Sequence, residues 1–429
     1  MKRCLKYIYV AGFMAIGFLA LSAERVRPAE AVDKAVSHYA PAPLSHVYAQ
    51  PQMRALIDTA SNRITDSCGV LLPFIDKLVL RQSGEDNVIS ILHIGDSHVQ
   101  AGFLTGRLRE LFQSHFGDAG RGVVTPYKLA GMNEPRDYAI ITPYRNVAAR
   151  ATEPGSRGPG FTGVAVTFET PLSQFKIWSK KPFNTVTVFH HEGAPRLHET
   201  DSLMIGSYCV DGNTPNATRI VLNRSVDSLM LRGMTGDGFD TPAYYGFSLE
   251  NGDPGVIYHS VGLNSAAFEH YASNTSIVKG GADVLAPDLI VISLGTNNCF
   301  GNNFRADLLY NVVNKFIAAV KENYPGRPVL ITTPMECCHS RRVRGKRVYQ
   351  PNANVEAAAG VIAAAAKANG VACWDLYTAS GGRNAIERWY DKGLVGRDRI
   401  HMTEAGYLLQ GDMLYEAIER YFNETSGRR

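Results

Sequence analysis

Four short apolar runs constrain this chain more than any other feature: VISILHI at 88–94, LIVISL at 289–294, VLITT at 329–333 and VACW at 371–374. None alternates polar with apolar residues, so each fits a strand buried on both faces. The segments between them are helical in pattern. Leu309, Val312, Val313, Phe316, Ile317 and Val320 recur at three- and four-residue spacing. An Ala-rich stretch from Val355 to Asn369 stops at Gly370, a residue suited to end a helix. A final helix carries Leu408, Leu409, Met413, Leu414, Ile418, Tyr421 and Phe422. Strand and helix in alternation define a parallel sheet with helices on both faces.

Residues from about Gly160 to Asn251 break that rhythm. Phe161–Phe168, Gln174–Trp178, Thr185–Phe189, Met204–Val210, Arg219–Leu222, Ser228–Leu231 and Tyr244–Leu249 are β-branched and aromatic segments parted by turn residues. No helical pattern intervenes, so an all-β sandwich is expected inside the α/β unit, after its first strand and helix. With 429 residues the chain also exceeds one ordinary core.

At the start of the chain, Lys2, Arg3 and Lys6 precede an uncharged stretch from Tyr7 to Ala23, the layout of an export signal. An uncleaved anchor is the other reading, since the stretch is at the lower limit of a membrane span. Residues 1–23 are therefore read as signal peptide or anchor, and 24–50, including the Ala/Pro-rich run from Ala29, as a linker leading into a short amphipathic helix. Residues 51–155 form the first part of the α/β domain, 156–254 the β insert and 255–429 the second part. The formal charge of +4 loses three cations if that signal departs, which removes the motive for a nucleic-acid partner. Membrane contact is expected only if the segment stays uncleaved.

Four blocks bear chemistry, each after a predicted strand or before a predicted helix: Gly95-Asp96-Ser97-His98, Gly262-Leu263-Asn264-Ser265, Gly295-Thr296-Asn297-Asn298 and Asp398-Arg399-Ile400-His401. An open α/β sheet places its ligand crevice at such strand ends. Ser97 would sit at a strand-to-helix turn, exposed as a nucleophile and close to helical N–H groups. The three-residue spacing lets Asp398 orient His401 toward one serine. Asn297 offers an amide donor for a developing oxyanion. Singly, each block also fits a helix cap or an Asx turn.

In this order the blocks resemble those of the SGNH, or GDSL, hydrolases. The resemblance implies a three-layer flavodoxin-like fold and ester hydrolysis through an acyl-enzyme, with no metal or organic cofactor. Ser97 would attack the acyl carbon, His401 would move the proton and Asp398 would orient His401. The N–H groups of Ser97 and Ser265 and the Asn297 side chain would hold the oxyanion. Family members usually carry glycine where this chain has Ser265, so Gly262 stands as the fallback donor. Asn298 replaces the aspartate of many members, which puts a neighbouring hydrogen bond in doubt.

A narrower likeness follows from Gly-Asp-Ser-His, Phe116-Gly117 to Gly122, Pro126 to Ala130, and an insert ending in Tyr245-Gly246-Phe247-Ser248-Leu249-Glu250. It is similar to the periplasmic peptidoglycan O-acetylesterases, which carry a jelly-roll-like, carbohydrate-binding-module-like sandwich. This implies an exported enzyme, periplasmic or tethered, acting on an O-acetylated glycan such as peptidoglycan. The same triad would serve an O-acetyltransferase, and a glycan-binding protein with a silent site would keep the same fold.

Trp178 and Tyr244 are candidates for sugar stacking or for the core. His190-His191 would point one ring in and one out, without further ligands for a metal. His93 is read as a core histidine. The run Arg341, Arg342, Arg344, Lys346, Arg347 is read as a solvated loop able to meet a glycan carboxylate at a crevice mouth. A crevice-side disulfide between Cys299 and Cys337 or Cys338 suits an oxidising compartment.

Overall fold

The computed structural model describes residues 48–426, apart from 154–158, 193, 195–196, 200–207, 210–215, 235–242, 275–280 and 301–302. The signal, most of the linker and most of the expected strand Met204–Val210 lie outside the described residues.

The four unpatterned runs become neighbouring strands. Val88–Gly95, Gly255–Gly262, Leu289–Ser293, Val329–Thr332 and Ala372–Trp374 pair in parallel, and the short segment Ile64–Thr65 adds an antiparallel edge beside Ala372–Trp374. Numbered along the chain, the five parallel strands lie in the order 2-1-3-4-5, the flavodoxin-like order with its switch point beside the first strand. Period-two geometry divides their side chains between two cores. Leu92, Ile94, Ile290, Ile292 and Ile331 face the helices Ala306–Asn323 and Asn354–Ala368. Ile89, Ile91, Leu289, Val291 and Leu330 face Leu72–Gln82, Phe103–Phe116 and Glu404–Ser426. Three layers follow, as the sequence predicts.

One buried ion pair ties the helix that follows Ser97 to the helix that follows His401. Arg107 Nε donates to Asp412 Oδ1 at 2.7 Å, with side chains 7% and 0% exposed. Removing one member strands a buried charge, so Asp412→Ala is expected to cost about 3–5 kcal/mol. Scanning calorimetry should show a midpoint lowered by about 5 °C; an unchanged midpoint would mean that water readily solvates Arg107.

Among the described residues, the second sheet has nine antiparallel strands. Two of them, Leu172–His190 and Ala217–Met234, are long, with register breaks between Val221 and Ser228. They pair with each other along their length, and the other edge of Leu172–His190 takes Tyr138–Ile141 along its first half and Ala243–Glu250 along its second. Leu172–His190 thus changes partner along one edge, and the ring of Phe175 packs against Phe168, Tyr244 and Phe247 at 5.2–5.3 Å. The sequence shows each long strand as two, because a bulge interrupts the pattern without ending the strand. Gly122–Val124, Tyr138–Ile141 and Asn146–Arg150 also pair into this sheet, so residues expected in the first part of the α/β domain, up to 155, complete the β layer. These strands are three to five residues long, too short to register as a periodic signal.

Two expectations are corrected outside the site. Cys299, Cys337 and Cys338 are free thiols. The Cys299 thiol turns back to donate to the Gly295 carbonyl at 3.1 Å, and Cys338 lies against Glu387. Residues 338–351 form a two-stranded β-hairpin instead of a loop. His93 is buried between the Tyr258 hydroxyl (2.8 Å) and Ser293 Oγ (2.7 Å), and burial pushes its pKa down to about 3. His190 turns inward and His191 outward.

Candidate active site

The first strand delivers Ser97. Gly95 must be glycine here, since a Cβ would fall 2.3 Å from Val99 Cγ2 and 2.7 Å from the Ser293 carbonyl. Asp96 then caps the helical turn Ser97–Gln100 by accepting the His98 N–H at 2.9 Å. Ser97 stands at the first position of that turn, where a backbone N–H has no intrahelical acceptor. Burial pushes the Asp96 carboxyl up to about 7, against the opposing pull of the His98 N–H.

The fourth block closes on itself. Val395 bridges Met402, and the Gly396 N–H donates to the His401 carbonyl at 2.7 Å. Inside this loop Asp398 Oδ1 accepts the N–H groups of Ile400 (3.0 Å) and His401 (3.1 Å), with Arg399 at φ +54°. Asp398 Oδ2 is then 2.6 Å from His401 Nδ1, and His401 Nε2 is 2.9 Å from Ser97 Oγ. Three side chains from opposite ends of the chain thus form one continuous hydrogen-bonded relay. The His401 hydrogen bond and the two N–H groups hold the Asp398 carboxyl well below the usual range, although burial opposes them. Bonding to Asp398 raises the His401 pKa in turn.

Strands two and three lead to the residues expected as oxyanion donors. Ser265 has φ +61°, the left-handed region where family members carry glycine. The Asn297 amide donates one hydrogen to the Ala266 carbonyl at 2.8 Å, which fixes the side chain and leaves its second hydrogen for the cleft. Asn298, where many members have aspartate, accepts the Phe268 N–H and donates to Glu269. Gly262 is not an available donor: its N–H is given to the Tyr127 hydroxyl at 3.0 Å. Glycine is needed there because a Cβ would lie 2.2 Å from Gln100 N.

Ser97, Ser265, Asn297 and His401 all open onto a cleft of about 850 Å³. Trp178 and Tyr244 do not line it. Tyr244 is 1% exposed and packs on Phe168 and Phe175, so its ring is unavailable for stacking. Trp178 lies at the surface of the β layer, 39% exposed. Period-two alternation sets one ring inward and the other outward, but a sequence does not reveal the phase.

Sequence reasoning missed several residues at the cleft. Asn133, Glu134 and Arg136 reach it from a loop with no motif, and Phe300 closes the third block. His98 was visible only as a neighbour of Ser97. Its Nδ1 meets the Tyr407 hydroxyl at 3.0 Å and its ring lies 5.2 Å from His401. Burial and the adjacent His401 push its pKa down to about 3, which keeps it neutral.

Since the Ser265 role needs only a backbone N–H, Ser265→Gly relieves about 1 kcal/mol of left-handed strain without removing the donor. The variant is expected to keep its ester kcat/KM and to melt no earlier than the parent. A clear fall in kcat would instead assign work to the Ser265 hydroxyl.

A serine, an imidazole and a carboxylate in relay at the C-terminal edge of a 2-1-3-4-5 sheet define a serine-hydrolase-type α/β protein. Comparison with known proteins narrows this. Residues 227–409 match the model of the GDSL-like Lipase/Acylhydrolase family. Among solved structures, a peptidoglycan O-acetylesterase matches with a TM-score of 0.67 at 18% identity, covering 84% of this chain and 99% of its own. A GDSL-like lipase from Bacteroides thetaiotaomicron is 20% identical over 39% of this chain and 76% of its own, with a TM-score of 0.26. An acetyl esterase with bound acetate is 17% identical over 40% of this chain and 74% of its own, with a TM-score of 0.29. No curated protein matches the chain. The match to this family's model over residues 227–409 and the shared fold together support esterase chemistry.

Proposed function

We propose that the protein is an exported serine esterase that removes O-acetyl groups from a glycan, with cell-wall peptidoglycan as the first substrate to try. The observation that carries this reading is the Ser97–His401–Asp398 relay at the floor of an open cleft. Ser97 Oγ attacks the acetyl carbon while His401 Nε2 takes its proton. The N–H groups of Ser97 and Ser265 and the Asn297 amide hold the oxyanion. As the intermediate collapses, His401 returns the proton to the departing sugar oxygen, leaving acetyl-Ser97. Water enters through the cleft and attacks the acetyl carbon while His401 takes its proton; the bond to Ser97 Oγ then breaks, His401 returns the proton to Oγ, and acetate leaves.

The glycan assignment is supported by the peptidoglycan O-acetylesterase, whose chain is matched along almost its whole length. Export is supported by the charge pattern of residues 2–23. Among the described residues, no helix is long and apolar enough to cross a membrane.

The test is acetate release across O-acetylated muropeptides, xylan and sialosides. Release from muropeptides above the other two is expected. Activity confined to xylan or sialosides would overturn the choice of glycan and leave the relay standing. Transfer of acetyl to an added sugar hydroxyl in preference to water would make the protein an acetyltransferase.

A further inference from the structure

The hairpin at residues 338–351 carries exposed charge that the relay does not use. Arg341, Arg342, Arg344, Lys346 and Arg347 put five cations into seven positions, and all five are exposed. Among the described residues, none has a carboxylate within ion-pair distance. Arg342 and Arg347 lie directly opposite each other across the ladder. Like charges so placed repel and weaken a hairpin unless an anion lies between them. The turn adds a second local conflict. Arg344 and Gly345 have φ +49° and +78°, a tight turn in which asparagine or glycine is cheaper than arginine at the first position.

The base of this arm is fastened to the relay. The Cys338 N–H donates to the Arg399 carbonyl at 2.9 Å, and the Tyr349 hydroxyl donates to the Arg397 carbonyl at 2.6 Å. Arg399 lays its guanidinium over the Tyr349 ring at 4.8 Å. His339 meets the cleft residue Phe300 edge-on at 5.0 Å. Side chains alternate along a strand, so Arg347 shares the face of Tyr349, roughly 7 Å further out. Arg342 stands opposite it on the same face. Both guanidiniums are therefore carried on the side that contacts the Arg397–Arg399 loop.

We infer that this hairpin is a docking arm for carboxylates borne by a polymeric substrate, here the peptide-substituted strands of the cell-wall glycan. The inference rests on the glycan reading above. Guanidinium forks match carboxylates bidentately, and a row of them suits acids repeated along a polymer. An anionic lipid surface is the other polyanion to consider. The tip lacks the aromatic or leucine side chains that insert into a bilayer; its apolar residues are Val343 and Val348. The arm leaves the chemistry at Ser97 unchanged and lowers the polymer concentration needed for half-saturation.

The experiment compares the full chain with an Arg342→Gln/Arg344→Gln/Arg347→Gln variant, each also carrying Ser97→Ala for the binding arm. Sedimentation with insoluble O-acetylated peptidoglycan should show half-saturation about tenfold higher for the charge variant, from three rim charges of ordinary strength. Added salt should weaken the parent more than the variant. Amidating the carboxylates of the polymer should abolish the difference. With Ser97 intact, both proteins should hydrolyse a small chromogenic acetate ester equally, which shows that the variant is folded. Equal sedimentation of parent and variant would overturn the inference. So would binding to phosphatidylglycerol vesicles with none to the polymer. If the parent binds the polymer through the arm but releases no acetate from it, the glycan esterase reading fails while the arm stands.

Discussion

Ser97→Ala is expected to lower kcat on any acetate ester by about 10⁵-fold or more, down to the background of the assay. The substitution removes one oxygen from a half-buried position at the start of a helical turn. It leaves the Asp96 cap, the Gly95 turn and the Asp398–His401 bond in place. The fold should therefore survive, with a thermal midpoint within a degree or two of the parent. Without Oγ the imidazole has no proton to take, and only the oxyanion donors remain. Acetate released at a tenth of the parent rate would remove Ser97 from the role of nucleophile.

Asp398→Asn is expected to cost about 10³–10⁴-fold in kcat with little change in KM. An amide NH₂ facing His401 Nδ1 favours the tautomer that carries its proton on Nε2, so the imidazole would present a proton to Ser97 where it must accept one. A pH effect comes with this. His401 acts as a base only when neutral, and Asp398 raises its pKa. Activity of the parent should consequently fall as pH drops through the His401 pKa. In the asparagine variant that support is gone, so the acid limb of its residual activity should move to lower pH. Ester hydrolysis measured from pH 5 to 9 checks both parts. Loss within tenfold, with an unmoved acid limb, would mean that Asp398 does not orient the imidazole.

How much of this was readable beforehand varies with the physics of each element. The buried parallel strands are legible because both faces need apolar side chains, which leaves VISILHI or LIVISL no room for charge. Ser97, Ser265, Asn297 and Asp398-Arg399-Ile400-His401 stand out because each follows a strand or precedes a helix. The long strands Leu172–His190 and Ala217–Met234 were not legible as such, since a bulge and a turn look alike in one sequence. Tyr244 was offered for stacking because an aromatic residue on a strand has two possible faces. Gly262 looked available as a donor until Tyr127, far away in sequence, claimed its N–H. The basic run read as a solvated loop because the ladder of residues 338–351 depends on Tyr349, Arg399 and the loop between them, a tertiary arrangement with no local signature.

The central claim is that acetyl passes through Ser97. The direct measurement is intact-protein and peptide mass spectrometry on enzyme mixed with a chromogenic acetate ester and quenched in acid within the first turnovers. The account predicts a mass gain of one acetyl group, located to Ser97, that decays as acetate appears and is absent from Ser97→Ala. Acetate formation with no acetylated Ser97 at any time, or an acetyl group found on another residue and undiminished in Ser97→Ala, would contradict it.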